Sequence, residues 1–228
     1  MSPARAARRA DARLYVMRMP DKLRQAAEAA RGFMPPQEGV ALYQTAAEYA
    51  RLGPIAEIGT YCGKSTIYLA TAARDAGQVV VTVDHHHGSE ENQAGWKYHD
   101  AELVDPSTGR MDTLPFFRST LAGAGLEDHV IAVVSTSAVV SRLWRTPLGM
   151  LFIDGGHSEA NVVTDYEGWA PWVTHGGVLA FHDIFSDPAD GGQAPYRVYL
   201  RALESGAFTE ISVTGSLRVL QRTGRGIG

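Results

Sequence analysis

The chain has 228 residues, 45% of them hydrophobic and 20% charged, with a net charge of −4 at pH 7. These proportions exclude a disordered, fibrous or collagen-like chain; no apolar run approaches the ~18 residues of a membrane-spanning helix, and an acidic balance argues against nucleic acid as a partner. The single cysteine, Cys62, excludes a disulfide framework or a zinc site built from several thiolates, which leaves a cytoplasmic enzyme or binding protein.

The start is basic: Arg5, Arg8, Arg9 and Arg13 stand against Asp11. Such a stretch fits a transit peptide or an anionic partner, but it runs into Leu14, Val16 and Met17 as a solvated helix face does. No apolar h-region marks a secretory signal. The first fifty residues read as helices. Ala and Arg dominate up to Gly32, the expected C-cap, and Pro35-Pro36 opens a second helix in which Val40, Tyr43 and Ala47 recur at helical spacing until Gly53-Pro54. This predicts a helical cap over residues 1–52 and a second unit over 53–228.

Short apolar runs then alternate with helical stretches. The runs are Ile55–Ile58, Val79–Val83, Val130–Val134, Met150–Ile153 and Val178–Phe181, and helices are expected near 64–75, 112–123, 136–144, 158–169 and 194–205. Strands apolar throughout, separated by helices, predict a parallel sheet covered on both faces. Phe208–Val213 and Leu217–Leu220, joined by Thr214-Gly215-Ser216, predict a closing antiparallel hairpin. The fold class is therefore α/β: a Rossmann-like, seven-stranded, mostly parallel sheet whose last strand is antiparallel. Residues 84–111 form a polar connection far longer than the usual two to six residues, as a lid or substrate wall would.

In such a sheet, ligands bind beyond the carboxyl ends of the strands. Those positions hold the run from Glu57 through Gly59, Thr60, Tyr61, Cys62, Gly63 and Lys64 to Ser65, then Asp84, then Ser135–Ser137, then Asp154-Gly155-Gly156-His157, then His182-Asp183. Gly59 and Gly63-Lys64-Ser65 nearly spell a phosphate loop, one residue short, and Tyr61 stands where a dinucleotide fingerprint needs glycine. An acidic residue before the first glycine, with Asp84 closing the next strand, suits a ligand with an ammonium group and a ribose diol. S-adenosylmethionine carries both, and a carboxylate for the turn N–H groups and Ser65.

On these residues the chain resembles the class I S-adenosylmethionine-dependent O-methyltransferases. The Glu57–Ser65 run looks like the first motif of their catechol O-methyltransferase branch. Asp154-Gly155-Gly156-His157 and Phe181-His182-Asp183 look more like the bacterial macrolide-sugar O-methyltransferases. The resemblance implies that Gly59, Thr60, Tyr61 and Ser65 line the methionine end of the cofactor with Glu57 beneath them, that Asp84 holds the ribose diol, and that Ser137 lies beside the adenine. It also implies Asp154 and Asp183 as ligands of a divalent metal, Mg²⁺ or Mn²⁺, and His157 as general base. His182 stands where relatives carry a carboxylate, so the third ligand is His182, a water or nothing.

The chemistry asks for such a set. An alcohol attacks a sulfonium methyl in line only as its proton leaves; a metal acidifies and orients the hydroxyl, and a histidine with an unperturbed pKa of about 6.5 can take the proton. Trp96 and Tyr98, among Glu, Asn, Gln and His of the long loop, resemble a carbohydrate-binding surface, although aromatics that anchor the loop would look the same. The neighbouring His85-His86-His87 run is not expected to bind metal, because adjacent rings point apart. The expected activity is metal-dependent methylation of a small hydroxylated acceptor, preferably a saccharide, with catechols and phenols second. A nucleotide hydrolase, a non-catalytic cofactor-binding module and a homo-oligomer stay open.

Overall fold

The computed structural model describes residues 18–224; the arginine-rich start lies outside them. Among the described residues the strands are β1 (Ile55–Ile58), β2 (Val80–Asp84), β3 (Val104–Asp105), β4 (Arg110–Met111), β5 (Val130–Val134), β6 (Leu148–Ile153), β7 (Val173–Phe181), β8 (Phe208–Thr214) and β9 (Leu217–Arg222). Seven of them form one sheet in the order β5-β2-β1-β6-β7-β9-β8. The first five in that order are mutually parallel, and β9 runs antiparallel between β7 and β8. This is the Rossmann-like arrangement expected. The chain builds outward from β1 through β2 to β5, then returns to place β6 on the other side of β1. The topological switch point, where ligands bind in such sheets, therefore lies between the ends of β1 and β6.

The helices are α1 (Asp21–Ala29), α2 (Pro36–Tyr49), α3 (Lys64–Asp75), α4 (Leu114–Ala124), α5 (Ser137–Ser141), α6 (Glu159–Trp169) and α7 (Ala194–Glu204). Period-two alternation along the strands divides the core. Ile55, Val80, Met150, Phe152, Val178 and Ala180 face α1–α4, while Ala56, Ile58, Val83, Leu151, Ile153, Leu179 and Phe181 face α6 and α7. Each Val, Leu, Ile, Met or Phe side chain buried this way contributes about 1.5–3 kcal/mol. The alternation also aims the residues just past the strand ends. Asp154 follows Phe152 by two, and His182 follows Ala180 by two, so both lean toward α2.

Some boundaries depart from the expectations. Strand β7 begins at Val173, five residues before the apolar run, and α5 stops at Ser141. Helix α1 ends before Ala30, so Gly32 is not its cap. Instead the Lys64 ammonium donates to the carbonyls of Glu28 and Ala30 at 3.2 and 3.1 Å, satisfying carbonyls that a helix end leaves open. The long connection is ordered by two short 3₁₀ turns, Glu90–Asn92 and Ala101–Leu103, and by the β3–β4 ribbon. Arg31 ties it to the N-terminal segment through ion pairs with Asp100 and Glu102. The Phe33 ring completes the seam, packing on Tyr61 and Tyr98 with centroids 5.5 and 5.2 Å away. No helix among the described residues is long and apolar enough to cross a membrane.

Candidate active site

A cavity of about 450 Å³ opens over the carboxyl ends of β1, β2, β5, β6 and β7. Gly59, Thr60, Tyr61, Ser65, Asp84, Ser137, Asp154, His157, His182 and Asp183 all line it. Glu57 does not. It is wholly buried beneath the first turn, where its carboxylate accepts from the hydroxyls of Ser65 and Thr66, both at 2.7 Å. Burial pushes its pKa up to about 7 in spite of those bonds. Glu57 thus shapes the turn from beneath, through Ser65 and Thr66.

Backbone conformation is exacting here. Gly59 has φ +86°, and a Cβ on it would collide with the Asp154 carbonyl, so the first turn and the turn after β6 touch across the switch point. Among the described residues, non-glycine positions with positive φ are Tyr61, His86 and Asp183; Tyr61 and Asp183 line the cavity, and His86 is buried beside His85, which also lines it. Asp84 holds two of them. Its Oδ2 accepts from the amides of Thr60 and Tyr61 at 2.8 and 2.9 Å, and its Oδ1 from the His86 amide at 2.7 Å. Such carboxylate–amide bonds offset left-handed strain in side chains that otherwise avoid it.

At the far side, Asp154, His182 and Asp183 each offer a ligand atom within 4.8 Å of the others. The His182 Nδ1 lies 3.1 Å from Asp154 and 3.4 Å from Asp183, while its Nε2 lies 2.9 Å from Glu38 on α2. Ser216 donates to the same Glu38 oxygen at 2.9 Å. Burial works against a charge on His182, but the Asp154 carboxylate and the bonds to Asp154, Asp183 and Glu38 hold its pKa well above the ordinary value. Burial raises Asp154, whereas bonds from His157 and His182 overcome burial and depress Asp183.

His157 lies between two carboxylates, with Nδ1 3.1 Å from Glu91 and Nε2 3.1 Å from Asp183. Burial would lower its pKa, yet Asp183, Glu91 and Asp154 together push it up to about 9. Of these carboxylates, Glu91 comes from the long connection after β2 and Asp183 from the end of the next strand, both distant in sequence, while Asp154 is three residues away.

Two other readings lose their footing. Lys64, the lysine that a phosphate loop would aim at phosphate, is spent on the end of α1. In the histidine run, the His86 and His87 rings bond to Thr113 and to the Met111 carbonyl, and His85 stacks on His87. Tyr98 packs the long connection on Phe33, while Trp96 is 60% exposed. Sequence reasoning missed Glu38, Glu91 as the partner of His157, and Asp165, a buried carboxyl on α6 that lines the cavity.

Residues 56–184 match the family model described as a methyltransferase domain. Among solved structures, the S-adenosylhomocysteine-bound methyltransferase PaMTH1 of Podospora anserina superposes with a TM-score of 0.64 at 14% identity, covering 98% of each chain. The O-methyltransferase NovP gives 0.64 at 16% identity, covering 90% of this chain and 89% of its own. An O-methyltransferase of Bacillus cereus in complex with S-adenosylhomocysteine gives 0.59 at 19% identity, covering 91% of this chain and 94% of its own. The match over both flanks of the switch point, on a sheet and cavity of this kind, makes the chain a member of the methyltransferase-domain family, with the fold of the class I S-adenosylmethionine-dependent O-methyltransferases.

Proposed function

We propose that the protein transfers the methyl group of S-adenosylmethionine to a hydroxyl oxygen of a small acceptor. The observation that carries this reading is the convergence of Asp154, His157 and Asp183 on one wall of a cavity whose other wall is the Gly59–Ser65 turn and Asp84. Gly59, Thr60, Tyr61 and Ser65 hold the methionine end, Asp84 the ribose, and Ser137 the adenine side. In the transfer the acceptor oxygen bonds the methyl carbon as the carbon–sulfur bond breaks, and sulfur keeps the electron pair. The hydroxyl proton goes to the neutral His157 imidazole, whose two nitrogens face Glu91 and Asp183. Alignment of oxygen, methyl and sulfur supplies much of the rate.

The donor set at Asp154, Asp183 and His182 fits a divalent cation. Two carboxylates suit Mg²⁺ or Mn²⁺, and Glu38 at the far nitrogen of His182 is the kind of partner that orients a ligating imidazole. When bound, such a cation acidifies and orients a hydroxyl. An exposed Trp96 on a polar lid favours stacking on a sugar face, so a saccharide or glycosylated acceptor is the preferred substrate and a catechol or phenol the second. Methyl-transfer assays over saccharides and phenols, with and without chelator, test all of this. Turnover of a sugar that chelator abolishes and Mg²⁺ or Mn²⁺ restores is the expected result. Full activity in excess chelator would leave Asp154 and Asp183 without a metal role.

A further inference from the structure

Among the described residues the large sheet ends in two edge strands, β5 and β8, and the sequence treats them differently. At β8 the ladder with β9 shifts register between Glu210 and Ser212. Glu210 also puts a charge into that strand, held by the Tyr199 hydroxyl, which donates to it at 2.6 Å. A bulge and a charge are usual devices that keep an edge from pairing with another chain. Strand β5 has neither. It reads Val130-Ile131-Ala132-Val133-Val134, its register with β2 is unbroken, and no charged residue occurs from Val130 through Ser141. Ile131 and Val134 are 52% and 55% exposed, and Val139 and Leu143 beyond the strand are exposed as well.

The alternation along β5 shows which of its backbone groups are open. The Ser135 amide donates to the Asp84 carbonyl at 3.1 Å, so Ile131 and Val133, in step with it, also turn their amides and carbonyls toward β2. Those of Val130, Ala132 and Val134 point out of the sheet, and among the described residues nothing bonds to them. We propose that a second copy of this chain pairs with this edge, antiparallel about a two-fold axis at Ala132. That register sets Ala132 against Ala132 and Val130 against Val134 of the second copy, each pair exchanging both of its hydrogen bonds. Ile131 then lies beside Val133 of the second copy, an apolar cross-strand pair, and alanine at the axis is small enough to meet itself. Charge selects the direction. Exposed Glu127 and Asp128 precede the strand, and exposed Arg142 follows it. Antiparallel pairing lays the acidic end of each copy toward the basic end of the other, whereas parallel pairing would set acid beside acid. A joint of this isologous kind closes at two copies and leaves neither β5 edge open.

Sedimentation equilibrium of the full chain tests the pairing. The wild type should show twice the mass of one chain at micromolar concentration. A wild type that keeps the mass of one chain throughout would overturn the proposal, a measurement that needs no variant. Ala132 is exposed and does not line the cavity, so Ala132→Lys and Ala132→Glu should both fold, which circular dichroism checks. Each sets like charges face to face at the axis and should sediment alone as one chain. Mixed in equal amounts, the two variants should recover the doubled mass, because Lys then faces Glu. A doubled mass that survives in Ala132→Lys alone would show that the copies meet elsewhere and overturn the proposal. So would two folded, single-chain variants that stay apart on mixing.

Discussion

Glu38 and His182 are 144 residues apart in the chain and 2.9 Å apart in the fold. The pair joins helix α2 to the end of β7, so the N-terminal helices complete the site as well as the core. Both side chains are about 5% exposed or less. Removing one partner of a buried pair strands the other, at a cost on the order of 3–5 kcal/mol.

Glu38→Ala should therefore lower unfolding stability by roughly 3 kcal/mol or more, since the His182 imidazole and the Ser216 hydroxyl both lose their acceptor. Glu38→Gln keeps one acceptor oxygen and should lose about 1–2 kcal/mol. Urea unfolding at neutral pH measures both. Equal and small losses would mean that the Glu38–His182 bond contributes little.

Glu57 gives a prediction whose sign depends on pH. Its folded pKa of about 7 lies above the ordinary carboxylate value of about 4.3. Between these values the folded state binds the proton more tightly, so the contribution of Glu57 to stability is fully present below about pH 4 and lost as pH rises through about 7. Glu57→Gln carries no charge to desolvate. Its melting temperature, relative to wild type, should improve as pH rises from about 4.5 to 8, a window set by the two pKa values. A difference from wild type that stays constant over that range would show that Glu57 does not titrate as its burial implies.

Asp84 has a structural duty that the sequence does not reveal. Three backbone amides donate to it, which leaves lone-pair capacity for a ribose hydroxyl but ties that capacity to the shape of the turn. Asp84→Ala should weaken S-adenosylmethionine binding by about 1–3 kcal/mol, the range for hydrogen bonds to charged groups, and should lower the melting temperature as well. Unchanged affinity in a folded variant would reject Asp84 as the ribose acceptor.

The residues at the strand ends were legible because apolar runs stop abruptly at polar side chains, and period-two alternation then predicts which way the next residues lean. Asp84, Asp154, His182 and Asp183 are of this kind. Glu38 and Glu91 were not legible as partners. One sits in the first turn of a helix, where an acidic residue is commonplace, and the other in a polar loop whose path no local pattern dictates. Asp165 reads as the polar face of a helix, yet it is buried with the Gly155 turn against it. Strands β3 and β4, two residues each, are too short to carry any periodicity.

His157 is where the geometry most alters the functional expectation. Placed between Glu91 and Asp183, it holds its proton up to about pH 9, whereas a general base must be neutral to accept one. The rate should therefore rise with pH along a limb set by His157, displaced above the ordinary histidine value near 6.5 by its carboxylate neighbours. A cation held by Asp154 and Asp183 would draw that limb down, because a nearby positive charge disfavours the imidazolium. Glu91→Gln removes one of the charges that raise His157, so it should move the limb to lower pH while leaving cofactor affinity intact. His157→Ala should lower kcat by roughly 10²-fold or more, again with cofactor affinity nearly unchanged, and should erase the limb. Profiles of kcat against pH for the three proteins decide the matter. If the Ala variant keeps both the rate and the pH limb of the wild type, the acceptor's proton leaves by another route and His157 serves only to hold the lid to Asp183.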